Sequence, residues 1–324
     1  MKTIKPQYLC GGKNIGIFSL SNRDDINFPK RYKRAIKNLK KMCEHVYEWR
    51  NEESATKQLI NMFKSDNINV LMSLTGGYTT NTHLDNINYS EIAKNPKVVI
   101  GYSDTTALLL ALYTKIRLVT FYGPALMGTF GEYPQIDSYT AKNFNDIMSY
   151  KNGVYIYKEP ETQSMSNYFW DIEDERSLNY HKFAGWKSNN NGMTRGILLG
   201  GNLNTILSLL GTEYMPDFKE KILFIEDAFT SPQKFNRDIE TLKQNNILNQ
   251  INGIIVGTFF AVDSAQSEFE KILNEYITDK PMICNVNFGH SKPIMTIPIG
   301  VRAEIDSDNL KITLLESPFE SITG

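Results

Sequence analysis

Ser103, Glu226 and His290 carry the three side chains in this 324-residue sequence that together could hydrolyse an acyl bond. A serine hydroxyl is a weak nucleophile at neutral pH, so a histidine must take its proton. The histidine in turn needs a carboxylate to fix its tautomer and stabilise the imidazolium. Each of the three follows a short apolar run, in the contexts PKVVIGYSDTT, KILFIED and MICNVNFGH. Open α/β sheets place their sites there, beyond the carboxyl ends of buried strands. A plainer reading stands beside each. Ser-Asp-Thr-Thr before an apolar helix is also the pattern of an N-cap. Glu226 or Asp227 could cap the helix that follows, and His290 could be a satisfied loop histidine. The serine turn also has Thr105 where G-x-S-x-G would have its second glycine.

The elements that must position these residues alternate between strand and helix. Residues 97–100 read as a buried strand, Gly101 and Tyr102 break it, and 107–112 form a helix apolar all round. Such a strand–turn–helix lifts a hydroxyl above the sheet edge, beside the free N–H groups of a helix start. A strand at 68–74 runs into Thr75-Gly76-Gly77-Tyr78, where paired glycines let a backbone N–H approach a ligand. An oxyanion hole needs such an N–H, and that of Asp104 could be the second; a tight turn without a ligand is the alternative. Further strands are expected at 15–18 and 118–122, with helices at 30–49 and 54–63. From about 132 to 191 the chain turns polar and aromatic-rich, too long for a bare loop within one compact domain. Regular alternation resumes at 194, with strands at 196–199, 221–227, 251–260 and 282–286 and helices at 203–210, 232–245 and 267–277. Strands in hairpins are expected at 295–297, 301–305 and 310–315. The fold class expected is α/β in two domains: an N-terminal doubly wound, mostly parallel sheet and a smaller C-terminal α/β sheet domain, with the three residues between them. The division expected is 1–160, a connector at 161–193, and 194–324.

Composition narrows the function. Hydrophobic residues are 41%, charged residues 22% and the net charge −1, which gives no electrostatic footprint for nucleic acid or an anionic membrane. No apolar run approaches the ~18 residues of a membrane span. The opening MKTIKPQYLCGGK has no apolar core, so no signal peptide is expected. Cys10, Cys43 and Cys284 match no metal spacing, and a reduced cytoplasm is the simplest setting. None of the four histidines pairs at i, i+4, which argues against a zinc hydrolase. Gly11-Gly12-Lys13 lacks the remaining features of a P-loop. No metal and no cofactor is expected.

The segments GYSDTTALLLALY, LVTFYGPAL, GTFGE, RGILLGGNLNTILSLLGTEYMPDF, ILFIED, INGIIVGTF and FGHSKPIMTIPIG occur in this order, after IGIFSLS and TGGY. As an ordered set the chain resembles the LD-carboxypeptidase family of serine peptidases, and within it the microcin C self-immunity branch. The resemblance implies Ser103 as nucleophile, Glu226 as triad acid and His290 as base, with the Gly77 and Asp104 backbones as the oxyanion hole. It implies two domains with the triad between them, and a cytoplasmic homodimer. The branch implies a small substrate in which an amide joins a peptide or aminoacyl group to a nucleotide; the alternative is a murein tetrapeptide. FYGPALMGTFGE and GTEYMPD favour the immunity branch. Trp186 resembles the aromatic on which that branch stacks its base, with connector packing as the plain alternative. The chain departs from the branch after Tyr78, where TTNTHLDNI is more polar. An α/β-hydrolase esterase shares the order Ser, acid, His, but the two-domain spread and the absence of glycine at 105 argue against it. A two-lobed binding protein of the periplasmic type is disfavoured by the full triad.

Overall fold

Short β-branched runs between helices become two sheets in the computed structural model, which describes residues 2–9, 12–48, 54–164, 166, 170, 175–259 and 266–321. The first sheet contains β1 (Asn14–Phe18), β2 (His45–Tyr47), β3 (Val70–Ser73), β4 (Val98–Gly101) and β5 (Thr120–Tyr122). These five pair in parallel in the order β2-β1-β3-β4-β5. β3 and β4 are buried at every residue, as expected where helices cover both faces of a parallel sheet. The strand order reverses between β1 and β3, and ligand crevices open beyond the carboxyl ends of strands at such a switch point.

The second sheet has eight strands, with Met193–Asn202, Lys221–Glu226, Gly253–Gly257 and Met282–Val286 parallel at its centre. Antiparallel strands flank them, including the hairpin Arg302–Asp306 and Lys311–Leu314. One buried hydrophobic cluster runs through both sheets, from Ile15 to Phe319. Within it Tyr122 of the first sheet touches Phe224 of the second and Phe288, two residues past one of its strands. Among the described residues no helix is long and apolar enough to cross a membrane.

Several local expectations change. The helix read over 30–49 ends at Leu39, and His45 lies on β2. Pairing residues 45–47 beside β1 satisfies backbone groups that amphipathic spacing alone had assigned to a helix. Trp49 at the end of that reading, Cys10 and Gly11 lie outside the described residues. A helix, Ser138–Met148, stands in the stretch read as passage between domains; the Asp137 carboxylate accepts from the Tyr139 and Thr140 N–H groups and caps it. The strand expected at 295–297 is Ile297–Ile299, which leaves the hairpins and pairs with β5. Sheet membership thus departs from the linear division. Tyr155–Ile156 and Lys187–Asn190 join the second sheet, while Ile297–Ile299 joins the first.

Candidate active site

β4 ends at Gly101, and Ser103 follows with φ +61°. An N-cap residue has extended backbone and accepts a bond from the helix it caps. Ser103 does neither: its φ is left-handed, and among the described residues no hydrogen bond engages its Oγ. A serine held there is strained, which fits an elbow and not a cap. The helix Thr106–Ile116 is buried from Thr106 through Tyr113 and anchors the turn in the core. The Asp104 carboxylate accepts from the Thr80 N–H at 2.9 Å and the Thr80 hydroxyl at 2.7 Å. The elbow is thereby tied to the loop that follows Gly76-Gly77. Gly77 has φ +144°, and a Cβ there would meet Ser21 Oγ at 2.2 Å. A Cβ on Gly76 would lie 2.9 Å from Ser103 Oγ. Gly76 is therefore a steric requirement of the loop's approach to the serine, and Gly77 of its packing on Ser21 and Asn22.

Glu226 ends its strand fully buried. Its Oε2 lies 2.8 Å from His290 Nδ1 and accepts from the His290 backbone N–H at 3.2 Å. Its Oε1 accepts from the Tyr122 hydroxyl at 2.5 Å and Asn202 Nδ2 at 3.1 Å. Burial pushes this carboxyl up, but the His290 charge and the bonds from His290, Tyr122 and Asn202 outweigh it, holding Glu226 below the usual carboxylate range. An ionised carboxylate only accepts, so Nδ1 of His290 carries the hydrogen and Nε2 is left to act as a base. Burial pushes His290 down, yet the Glu226 charge and hydrogen bond prevail and raise it above the ordinary histidine value. Gly289 permits this contact: its φ is +74°, and a Cβ would fall 2.2 Å from Glu226 Cδ.

Ser103, Asp104, Gly77 and His290 line one cavity of about 240 Å³, with Asn202 and Asp227 on its wall and the exposed rings of Tyr78 and Phe229 beside them. A larger surface cavity, about 580 Å³, lies by the helix Ser138–Met148, but none of Ser103, Glu226 and His290 lines it. Five of the six site residues read from the sequence therefore belong to one place, four on the cavity wall and Glu226 behind His290. Trp186 does not. Its indole is buried, its Nε1–H donates to Asn287 Oδ1 at 3.2 Å, and it packs within the common core. A ring buried to this degree fits the connector-packing alternative better than the stacking role. Two residues went unread. Asn202 ends a strand, caps the helix Leu203–Ser208 and donates to both Glu226 and Asp227; the GGNLNT pattern carried that capping signal. Tyr122 ends β5 as Ser103 follows β4, a position shared with the residues that were chosen. Among the described residues no cluster of His, Cys, Asp and Glu could hold a metal.

The LD-carboxypeptidase N-terminal domain matches residues 15–123 and the LD-carboxypeptidase C-terminal domain residues 195–305. The chain is 33% identical to the microcin C7 self-immunity protein MccF of Escherichia coli, over 95% of this chain and 94% of that one. It belongs to the LD-carboxypeptidase family. A putative carboxypeptidase of Vibrio cholerae is 31% identical over 92% of this chain and 93% of its own. The structure of MccF in complex with glutamyl sulfamoyl guanosine superposes with a TM-score of 0.90 at 29% identity, covering 98% of this chain and 99% of that one. The LD-carboxypeptidase fold accounts for the two sheets seen here, and family membership makes the chain a hydrolase of the serine peptidase type.

Proposed function

We propose that this LD-carboxypeptidase relative hydrolyses the amide that joins an aminoacyl or peptidyl group to a nucleotide. Ser103 attacks the carbonyl while His290 Nε2 takes its proton. Glu226 steadies the resulting imidazolium, and the Gly77 and Asp104 N–H groups face the oxyanion. His290 then protonates the leaving amine, and water, activated by the same imidazole, releases the acyl group from Ser103. The observation that carries the reading is the left-handed Ser103 sharing a cavity with a histidine whose other nitrogen is held by a fully buried, ionised carboxylate. The substrate class rests on similarity to MccF across nearly the whole chain. The reading includes a cytoplasmic homodimer, as the family resemblance implies, and sedimentation tests the dimer.

Mass spectrometry of products decides the substrate when an aminoacyl-sulfamoyl adenosine and an L,D-tetrapeptide are offered side by side. Release of the amino acid from the nucleoside is expected. Cleavage of the tetrapeptide alone would replace the nucleotide reading and leave the triad in place.

A further inference from the structure

The acid and the nucleophile are carried by different sheets, and no covalent path near the site fixes their distance. Ser103 follows β4 of the first sheet, whereas Glu226 closes a strand of the second. Misplacement by about 1 Å can cost 100-fold in rate, so something must hold the two sheets in register at this point. Tyr122 is built into that gap. Its backbone pairs opposite Gly101, two residues before Ser103. Its ring is fully buried and packs against Phe224 of the second sheet and Phe288, just past the strand Met282–Val286 of that sheet. Its hydroxyl donates to Glu226 Oε1 at 2.5 Å and accepts the Ser103 backbone N–H at 3.2 Å. One oxygen thus bonds the carboxylate of one sheet and the main chain of the elbow on the other.

We propose that the Tyr122 hydroxyl is a positioning group, joining Glu226 to the Ser103 backbone so that acid and nucleophile keep one spacing across the inter-sheet junction. The inference rests on the Ser103–His290–Glu226 reading. It extends that reading to a residue that touches neither the substrate nor the transferred proton. Two consequences follow from the bonds. The Ser103 N–H is turned toward Tyr122 and away from any oxyanion, leaving that role to neighbouring amides. The phenol also takes part of the Glu226 charge that would otherwise bear on His290. Burial and the Glu226 charge keep the phenol protonated, so it remains a donor.

Tyr122→Phe removes the hydroxyl and keeps the ring. His290 is followed by NMR titration of imidazole-labelled protein, which has only four histidines to assign, and hydrolysis of an aminoacyl-sulfamoyl adenosine is measured across pH. Without the donor Glu226 acts more strongly on His290, so the histidine should titrate roughly half a unit or more higher. The acid limb of kcat/KM should move with it. We expect kcat to fall roughly 10- to 100-fold with KM little changed, in line with one charge-assisted bond lost from the site's scaffold. Fluorotyrosine at 122, a more acidic phenol and a stronger donor, should shift His290 the opposite way. If the phenylalanine variant does not fold, the fluorinated protein carries the test. A space-filling role would lower Tm and move neither titration, and that result overturns the proposal. So does a shifted titration with wild-type kcat. Ser103→Ala separates the two layers: full activity there would remove the triad reading, while the His290 titration would still report the Tyr122–Glu226 coupling.

Discussion

Glu226 binds His290 and Glu132 binds Lys292, two residues further on, and the surroundings of these two buried carboxylates differ in one respect that matters. Glu226 and Glu132 are both nearly or fully enclosed, with side chains 0% and 8% exposed. Burial pushes each carboxyl up, and each is nevertheless held below the usual range by opposite charge and hydrogen bonds. Glu226 has His290 as its counter-charge, a group that gains and loses its proton near neutral pH. Glu132 has Arg31 at 2.6 Å, a guanidinium that stays charged, and Lys292, whose pKa burial lowers against the pull of the Glu132 charge. Among the described residues the hydrogen bonds to Glu226 come from Asn202 on the cavity wall, from buried Tyr122 behind it and, twice, from His290 itself. Those to Glu132 come from the helix Pro29–Leu39 and from the chain two residues past His290, and its buried Oε2 has no hydrogen-bond partner among the described residues. A carboxylate paired with a titrating partner can follow a proton through a reaction. One held between Arg31 and Lys292 instead ties the loop after His290 to the helix Pro29–Leu39.

The comparison can be broken in order of expected effect. If Glu226 works through His290 on Ser103, the largest loss must appear at Ser103. Ser103→Ala should fold normally and lose roughly 10⁴-fold or more in kcat; single-turnover assays with the variant check it, and activity near wild type would discard the elbow reading. Glu226→Gln keeps the shape and removes the charge, so a loss of about 10³- to 10⁴-fold is expected with little change in KM. Glu132→Gln should behave in the opposite manner. Removing the carboxylate charge takes the buried counter-ion from Arg31 and Lys292, which costs about 3–5 kcal/mol of stability in chemical denaturation, while the folded fraction retains kcat within several-fold. A Glu132 variant as inactive as the Glu226 one would erase the distinction.

A pH series sharpens it further. His290 must be neutral to accept the serine proton and its pKa is raised, so the acid limb of kcat/KM should lie above the ordinary value of about 6.5. Stability carries the reverse sign for the two kinds of group. The raised His290 contributes stability that is present below about 6.5 and lost as pH rises through its folded value. The depressed Glu132 contributes stability that is present above the unfolded glutamate value of about 4.3 and lost as pH falls through its folded value. Denaturation of wild type and Glu132→Gln across pH should therefore converge on the acid side. The smallest effect is expected at Trp186. Trp186→Phe should cost on the order of 1 kcal/mol, the bond to Asn287, and change every substrate's kcat/KM alike. Selective loss on nucleotide substrates would favour the stacking role.

Much of this molecule is legible in short stretches of sequence. KILFIED and PKVVIG are strands because a run buried on both faces must be apolar and β-branched throughout, and their ends place Glu226 and Ser103 on a rim. The helix at 107–112 and the glycines at 76, 77 and 289 likewise show in residue type alone. The misreadings share a cause. Residues 40–49 have helical spacing, but edge pairing with β1 took 45–47 into the sheet. Ile297–Ile299 looks like its hairpin neighbours and pairs with β5, a partner about 175 residues away along the chain. Trp186 has an aromatic's chemistry, and only packing shows how deeply it is buried.

The sequence by itself determined which side chains stand at strand ends, since periodicity and turn residues act within a few positions of the chain. It determined the capacity for acyl chemistry, because a serine, a carboxylate and a histidine occupy three such ends. Tertiary structure alone decided that Glu226 and His290, 64 residues apart, share a bond. It also decided that Ser103 is a strained elbow and no cap, and that Tyr122 spans the two sheets. Those outcomes depend on how two separately formed sheets dock, a matter of summed packing across one core that no local window of residues contains.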